Sequence, residues 1–294
     1  MTEIIDAHHH IWRRRDLPWL EGPMQPRIFG PYEPIRRDYP ISEYLSDIAG
    51  CDVVQSVYVQ ANWAKSAFED EVAYVQKAAD ETGFPQGIVG YADFLADDVR
   101  RQLDRLTKYR GMRGMRMQLH WHENPQYRFA AEPNLASNPT LQRNVARLAD
   151  YGWSFDLQVF AGQMAGAAEL AATAPKVTFI LQHAGMLEDT SEKGWQVWRN
   201  GMRRLAAAPN VVTKLSALGT FIHRNDPDHI AGIVRETLEI FGPNRCMFGS
   251  NFPIEKLWTT YADLVAAYRN AVAPFGEATS RAALHETAAR VYRL

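Results

Sequence analysis

Thiols are scarce. Cys51 and Cys246 are the only cysteines in 294 residues, so no disulfide framework organises the chain and a reducing compartment fits best. No apolar run approaches the roughly 20 residues needed to span a bilayer. The opening Met-Thr-Glu has neither the basic nor the apolar stretch of a secretory signal. Neither sign of charge is in excess: 32 Lys and Arg against 34 Asp and Glu leave a net charge of -2. That balance exerts no general pull on nucleic acid or anionic membranes. No Gly-x-Gly-x-x-Gly turn follows any apolar run, which weakens a dinucleotide-type open sheet. These absences point to a cytoplasmic protein with a small-molecule partner, whose attraction for an anion would have to come from local Arg and His.

What is present begins at Ile4-Ile5-Asp6-Ala7-His8-His9-His10-Ile11-Trp12. Two apolar residues run into three imidazoles, as in a short buried strand with polar groups at its C-terminal end. Alternation puts His8 and His10 on one side and His9 on the other. That spacing suits two metal ligands or two polar clamps; a polar surface turn is the plainer reading, and the residues alone leave metal binding and that turn level.

An irregular segment from Arg13 to about Pro40 follows, broken by Pro18, Pro23, Pro26, Pro31 and Pro34. It is too long for an ordinary connection and too aromatic for a disordered linker, so a lid or wall is expected. The aromatic loops around Trp12, Trp19, Trp121, Tyr127 and Trp258 suit a planar part of a substrate. They suit a homo-oligomer interface equally well.

From Ile41 onward, β-branched runs alternate with helical segments. Strands are expected at 53–60, 87–93, 114–119, 154–159, 177–183, 211–216 and 245–250, making eight with the first. Ser42 is expected to cap a short helix, and Ser66 with Glu69 to form a capping box. Asn138-Pro139 opens a later helix, Gly83 and Gly152 end helices, and a last helix covers about 279–292. The fold class is α/β: a single (β/α)₈ TIM-like barrel domain over 1–294, with an irregular N-terminal loop and a C-terminal helix. An open doubly wound sheet is the alternative.

In such a barrel the site lies at the C-terminal ends of the strands. Those ends carry His8 and His10, Gln60 and Asn62, Asp93, then Arg116 with His120 and His122. They continue with Gln158, His183, Lys214 with Ser216, and Ser250 with Asn251. With His9, six of nine histidines fall there or just beyond, which converges on one pocket. Each has a plainer reading. His183 could be a satisfied core histidine, and His120 and His122 could pack against Trp121. Arg116 inside an apolar strand must find either an anion or an ion pair. Lys214 could pair with a carboxylate instead of touching substrate, and His223, His229 and His285 should be solvated.

Together these residues resemble the amidohydrolase superfamily, in the branch of L-fuconolactonase and 2-pyrone-4,6-dicarboxylate lactonase. The matching stretches are Ile4–Trp12, Tyr58-Val59-Gln60-Ala61, Gly114-Met-Arg116, His183-Ala-Gly185, Asn210–Ser216, Phe248–Pro253 and Thr287–Tyr292. The resemblance implies a lactone or related ester opened by water at the barrel mouth. It implies one divalent metal, Zn²⁺ foremost, on His8 and His10 with or without His183, or metal-independent chemistry. In that family the strand-eight Ser is normally followed by an Asp that activates water; here the residue is Asn251. An amide has no useful proton affinity near neutral pH, so Asn251 is not a general base. It can still accept a hydrogen bond. The strand-four or strand-five carboxylate or modified lysine of binuclear members is not evident.

Under a hydrolase reading, His183 and Asn251 are the catalytic candidates. Gln60, Arg116, His120, His122 and Lys214 bind a carboxylate-bearing or sugar-acid substrate. Water activation falls to a metal-bound hydroxide, to His183, or to a loop carboxylate such as Glu123, Asp189 or Glu255. Decarboxylation of an aromatic or unsaturated acid is the alternative chemistry, and a non-catalytic ligand-binding barrel the alternative class.

Overall fold

The structure is a computed structural model that describes residues 2–294. Eight short strands alternate with eight helices: β1 (Ile4–His9), α1 (Ile41–Asp47), β2 (Val53–Val59), α2 (Phe68–Thr82), β3 (Gly87–Gly90), α3 (Arg100–Leu106), β4 (Met112–Met115), α4 (Pro139–Ala146), β5 (Ser154–Leu157), α5 (Met164–Thr173), β6 (Phe179–Leu181), α6 (Glu192–Ala206), β7 (Val211–Leu215), α7 (Pro227–Phe241), β8 (Cys246–Phe248) and α8 (Tyr261–Val272). Each strand pairs in parallel with the next. This is the expected (β/α)₈ barrel.

Closure falls to the segment just after β8. Asn251 N donates to His8 O at 2.8 Å or less (2.7 Å), and His10 N donates to Phe252 O at 2.8 Å. Gly249 is required at this seam, because a Cβ there would stand 2.6 Å from the Cβ of His8. The last and first strands therefore approach more closely than any side chain would allow.

Inside the barrel a small cluster gathers Ile5, Ala7, Val57, Val59, Val89, Ile180, Val212 and Met247, plugged from below by Ala288 and Tyr292. The larger apolar cluster lies between strands and helices. Strict alternation from Ile5 and Ala7 would carry His9 inward. The register of β1 against β2 shifts between Asp6 and His9, and such a bulge reverses which side chains face in. His9 therefore turns outward to stack on Tyr44 of α1, ring centroids 3.8 Å apart, with its Nε2 3.0 Å from Ser56 Oγ.

Several helix starts follow their sequence signals. Asn138 Oδ1 accepts from Thr140 N and Leu141 N, and Asp226, Ser191 and Thr260 cap α7, α6 and α8 in the same way. Gly83 and Gly152 end helices in the left-handed conformation. Ser42 and Ser66 do not cap. The residue before α1 is Pro40, and a turn at Lys65–Ala67 leads into α2 with Ala67 at the cap position. Strands three and four stop at Gly90 and Met115, short of the expected ends. The terminal helix is divided into Glu277–Arg281, a wider turn at Ala282–Glu286, and Thr287–Tyr292. Residues 13–40 form a packed wall. Trp12 bridges Tyr39, Trp19 Nε1 donates to Ala61 O at 2.9 Å, and Trp19 packs on Phe29 and Tyr32.

Candidate active site

At the C-terminal mouth of the barrel lies a cavity of about 560 Å³. Its floor includes His10, Gln60, Arg116, Gln158, His183 and Asn251. Its walls are largely aromatic, with Trp12, Trp19, Phe29, Trp63, Tyr91, Tyr127, Phe129 and Phe221.

Three imidazoles cluster here: His10 and His183 line the floor, and His8, fully buried, lies behind it. His8 and His10 have ring centroids 5.1 Å apart, and His8 and His183 are 4.8 Å apart. His10 Nδ1 lies 2.7 Å from Val59 O. A carbonyl only accepts, so that nitrogen carries the proton and Nε2 keeps its lone pair. His183 Nδ1 lies 2.8 Å from Ser216 Oγ. Its backbone sits at φ 56°, ψ 40°, and Ala184 follows at φ 46°, ψ 37°. Two successive non-glycine residues in the left-handed region cost energy, and such strain clusters where a side chain must be aimed. Burial, helped by the Lys214 ammonium, holds His8 well below the ordinary histidine range. Burial beside Arg116 does the same for His183 and lowers His10 to about 3. All three are neutral bases at pH 7.

Arg116 is the charged group of the floor. It is 3% exposed and has no carboxylate within ion-pair distance among the described residues. Its Nη1 donates to Gln158 Oε1 at 3.4 Å, its Nη2 donates to Gln60 O, and its Nε has no partner. Burial depresses it to about 10, so it remains a cation at neutral pH. Gln60 is held by Asn62 N, which donates to its Oε1 at 2.7 Å. His120 also lines the cavity, stacked on Phe129 at 5.4 Å with Nδ1 unpartnered; burial pushes it down to about 3.

These features place the chain in a family. The amidohydrolase family model matches residues 5–294. The chain belongs to the amidohydrolase family. An L-fucono-1,5-lactonase of Burkholderia multivorans is 30% identical over 306 residues, covering 99% of this amidohydrolase and 96% of the relative. An uncharacterised Sinorhizobium fredii protein is 35% identical over 293 residues, covering 99% and 98%. A Burkholderia multivorans amidohydrolase solved with bound zinc is 27% identical, covers 100% of both chains and superposes with a TM-score of 0.83. The protein is therefore an amidohydrolase-type enzyme.

Two of the expected substrate ligands lie elsewhere in this amidohydrolase. Lys214 is fully buried beneath the floor, where its Nζ donates to Asp156 Oδ2 at 2.8 Å. It does not line the cavity. His122 lies outside the cavity wall, packed on Tyr127 and Phe160, with Nε2 3.9 Å from Glu188. Of the proposed loop carboxylates, Glu123 and Asp189 are exposed. Asp93 turns back to accept from Leu95 N at 3.0 Å.

Sequence reasoning missed two carboxylates, Asp156 and Glu71, and named a third, Glu255. Asp156 on β5 is fully buried and paired with Lys214 at 2.8 Å, outside the cavity lining. Its signal was a charge between Phe155 and Leu157 in an apolar strand. Glu71 also lines the cavity, accepting from Tyr58 OH at 2.8 Å and Ala61 N at 2.6 Å. It sits on the same stripe of α2 as Phe68, Val72 and Val75, all buried. Glu255 is buried behind Asn251, accepting from Thr220 Oγ1 at 3.1 Å and Trp258 Nε1 at 2.9 Å. Burial raises both glutamates to about 7. The Asn251 side chain touches His10 on one side and Glu255 on the other, and its own backbone is left-handed at φ 57°.

A zinc ion would need His8 and His10 as ligands, each presenting Nε2 and donating its Nδ1 proton to an acceptor behind it. Val59 O provides that acceptor for His10. Behind His8 stands the Lys214 ammonium, 3.5 Å from Nδ1, which is a donor. Strand eight contributes an amide in Asn251. Among the described residues no group of three or more His, Cys, Asp or Glu is arranged to hold a metal ion. The donor set does not fit a divalent cation.

Proposed function

We propose that this amidohydrolase hydrolyses a lactone or related cyclic ester bearing a carboxylate, in the manner of a sugar-acid lactone. The observation that carries the reading is Arg116, a buried guanidinium without a carboxylate partner, facing the cavity it shares with His10, His183 and Asn251. A substrate carboxylate completes its ion pair. The lactonase activity named for the 30%-identical relative supports the ester chemistry.

In this reading the ester lies on the floor with its carboxylate on Arg116 and Gln60. His183, neutral and fixed through Nδ1 by Ser216, takes a proton from water as the water attacks the carbonyl carbon. The ring C–O bond then breaks, and the proton passes to the departing oxygen. Binding an anion beside Arg116 also offsets the cation that depresses His183, so its basicity rises when substrate is present. Asn251 orients the reacting groups through its amide. His120 and the aromatic walls hold the rest of the substrate.

The test is ring opening across a panel of aldonolactones, pyrone carboxylates and muconolactones at pH 7.5, corrected for spontaneous hydrolysis. The reading predicts turnover of at least one carboxylate-bearing or sugar-acid lactone. No turnover of any lactone overturns it. A second reading, CO₂ loss from an aromatic acid, is favoured by the aromatic walls and by an amide where a water-activating acid would stand. CO₂ release from hydroxybenzoate-type acids identifies it.

The two free cysteines, Cys51 and Cys246, are both buried, which suits a reducing cytoplasm. No helix among the described residues is long and apolar enough to cross a membrane.

A further inference from the structure

The ion pair beneath the floor has a consequence for His8. Lys214 and Asp156 are both 0% exposed and 2.8 Å apart. Asp156 is tied in turn by Gln182 Nε2 at 3.0 Å and approached by Tyr292 OH at 3.4 Å from the C-terminal plug. A buried lysine paired to a buried carboxylate is an ammonium, and an ammonium has only protons to offer. The nearest acceptor it meets besides Asp156 is His8 Nδ1, at 3.5 Å.

We infer that Lys214 locks His8 in the tautomer protonated at Nε2, so that His8 cannot ligate a metal and this barrel binds no divalent cation at its strand-one histidines. Neutral imidazole has one proton. With Nδ1 turned toward the ammonium, that proton resides on Nε2, and a protonated nitrogen has no lone pair for a cation. His8 Nε2 is buried and without a partner, so the proton that the ammonium leaves there meets no acceptor. His10 is locked the opposite way, because Val59 O fixes its proton on Nδ1. The two strand-one histidines, which look alike in sequence, are thus one donor and one acceptor. The positive charge beside the site comes from Lys214 and Arg116, both built into the fold. This inference separates the chain from its zinc-bound neighbour, and it stands whether or not the substrate is a lactone.

Two measurements test it, and neither reads activity. In protein with ¹⁵N-labelled histidine, long-range ¹H–¹⁵N correlations report each tautomer; the expected result is Nε2–H for His8 and Nδ1–H for His10. Nδ1–H on His8 overturns the inference. Zinc titrated into chelator-treated wild type, followed by calorimetry and by metal content after gel filtration, is expected to bind substoichiometrically. One tight equivalent, lost in the His10→Ala variant, overturns it. The paired variant Lys214→Met with Asp156→Asn leaves no unpaired charge behind. It should free the His8 tautomer and raise zinc affinity about 10- to 100-fold, the usual scale for a partner behind a ligand. If that variant does not fold, the wild-type tautomer still decides the matter.

Discussion

The carboxylate of Asp6 and the hydroxyl of Ser250 join the first and last strands across 2.7 Å, and Ser250 N adds a second bond to the same carboxylate at 2.8 Å. Tyr44 OH and Tyr261 OH, both at 3.0 Å, and His8 N at 3.1 Å complete its shell. One buried acid therefore holds the seam and fixes both His8 and the residue before Asn251. Asp6→Ala leaves several buried donors unpaired at once. It should cost about 3 kcal/mol or more of stability and depress turnover in whatever protein still folds. Urea denaturation checks the first, and activity per folded molecule the second.

Arg116 should act on one class of substrate. Arg116→Met removes the cation without touching His183 or Asn251. A charge-assisted contact of this kind contributes about 1.5–3 kcal/mol, so KM for carboxylate-bearing lactones should rise roughly 10- to 100-fold. Neutral lactones should change only a few-fold. Steady-state kinetics on a matched acid and ester pair separates the outcomes.

Acid should unfold the protein early. Unfolded histidines protonate near 6.5, whereas burial holds folded His10 and His120 to about 3 and lowers His8, His9 and His183 as well. Below 6.5 the unfolded chain therefore binds more protons, and each histidine costs about 1.4 kcal/mol per pH unit. Glu71 and Glu255 act the other way. Their folded values near 7 exceed the usual range, so their contribution is complete below about 4.5 and is lost as the pH rises through 7. The histidines outnumber them. Stability should fall steeply from pH 7 to pH 5, read as a drop in urea midpoint.

Glu255 offers the opposite sign on its own. Above pH 7 its carboxylate must ionise without solvent, and Glu255→Gln removes that cost. Relative to wild type, the variant should gain about 3 kcal/mol between pH 5 and pH 8. Paired denaturation curves at the two pH values measure it.

The barrel was legible because β-branched runs and helical stripes alternate with little interruption, and because Gly83, Gly152 and Asn138 mark true helix ends. The floor was legible in part for the same reason: polar residues at strand ends converge in any such barrel. His10, Gln60, Arg116, His120, His183 and Asn251 do line one cavity. What sequence could not resolve was pairing. Lys214 reads as a substrate ligand until Asp156 is seen beside it, and no spacing between strands five and seven announces an ion pair. His122 follows His120 by two residues, but β4 has already ended at Met115, so strand alternation no longer says where it points. The bulge in β1 is equally silent, since it depends on how β2 registers against Asp6 and His9.

The central claim rests on His183 as the base that opens a lactone in this cavity. Its most direct test is kcat/KM of wild type and His183→Asn on the best substrate of the lactone panel, with melting temperatures measured in parallel. The account predicts a loss of about 10²- to 10⁴-fold, the range for a general base, at nearly unchanged melting temperature. A variant that keeps its rate while folding normally would contradict it.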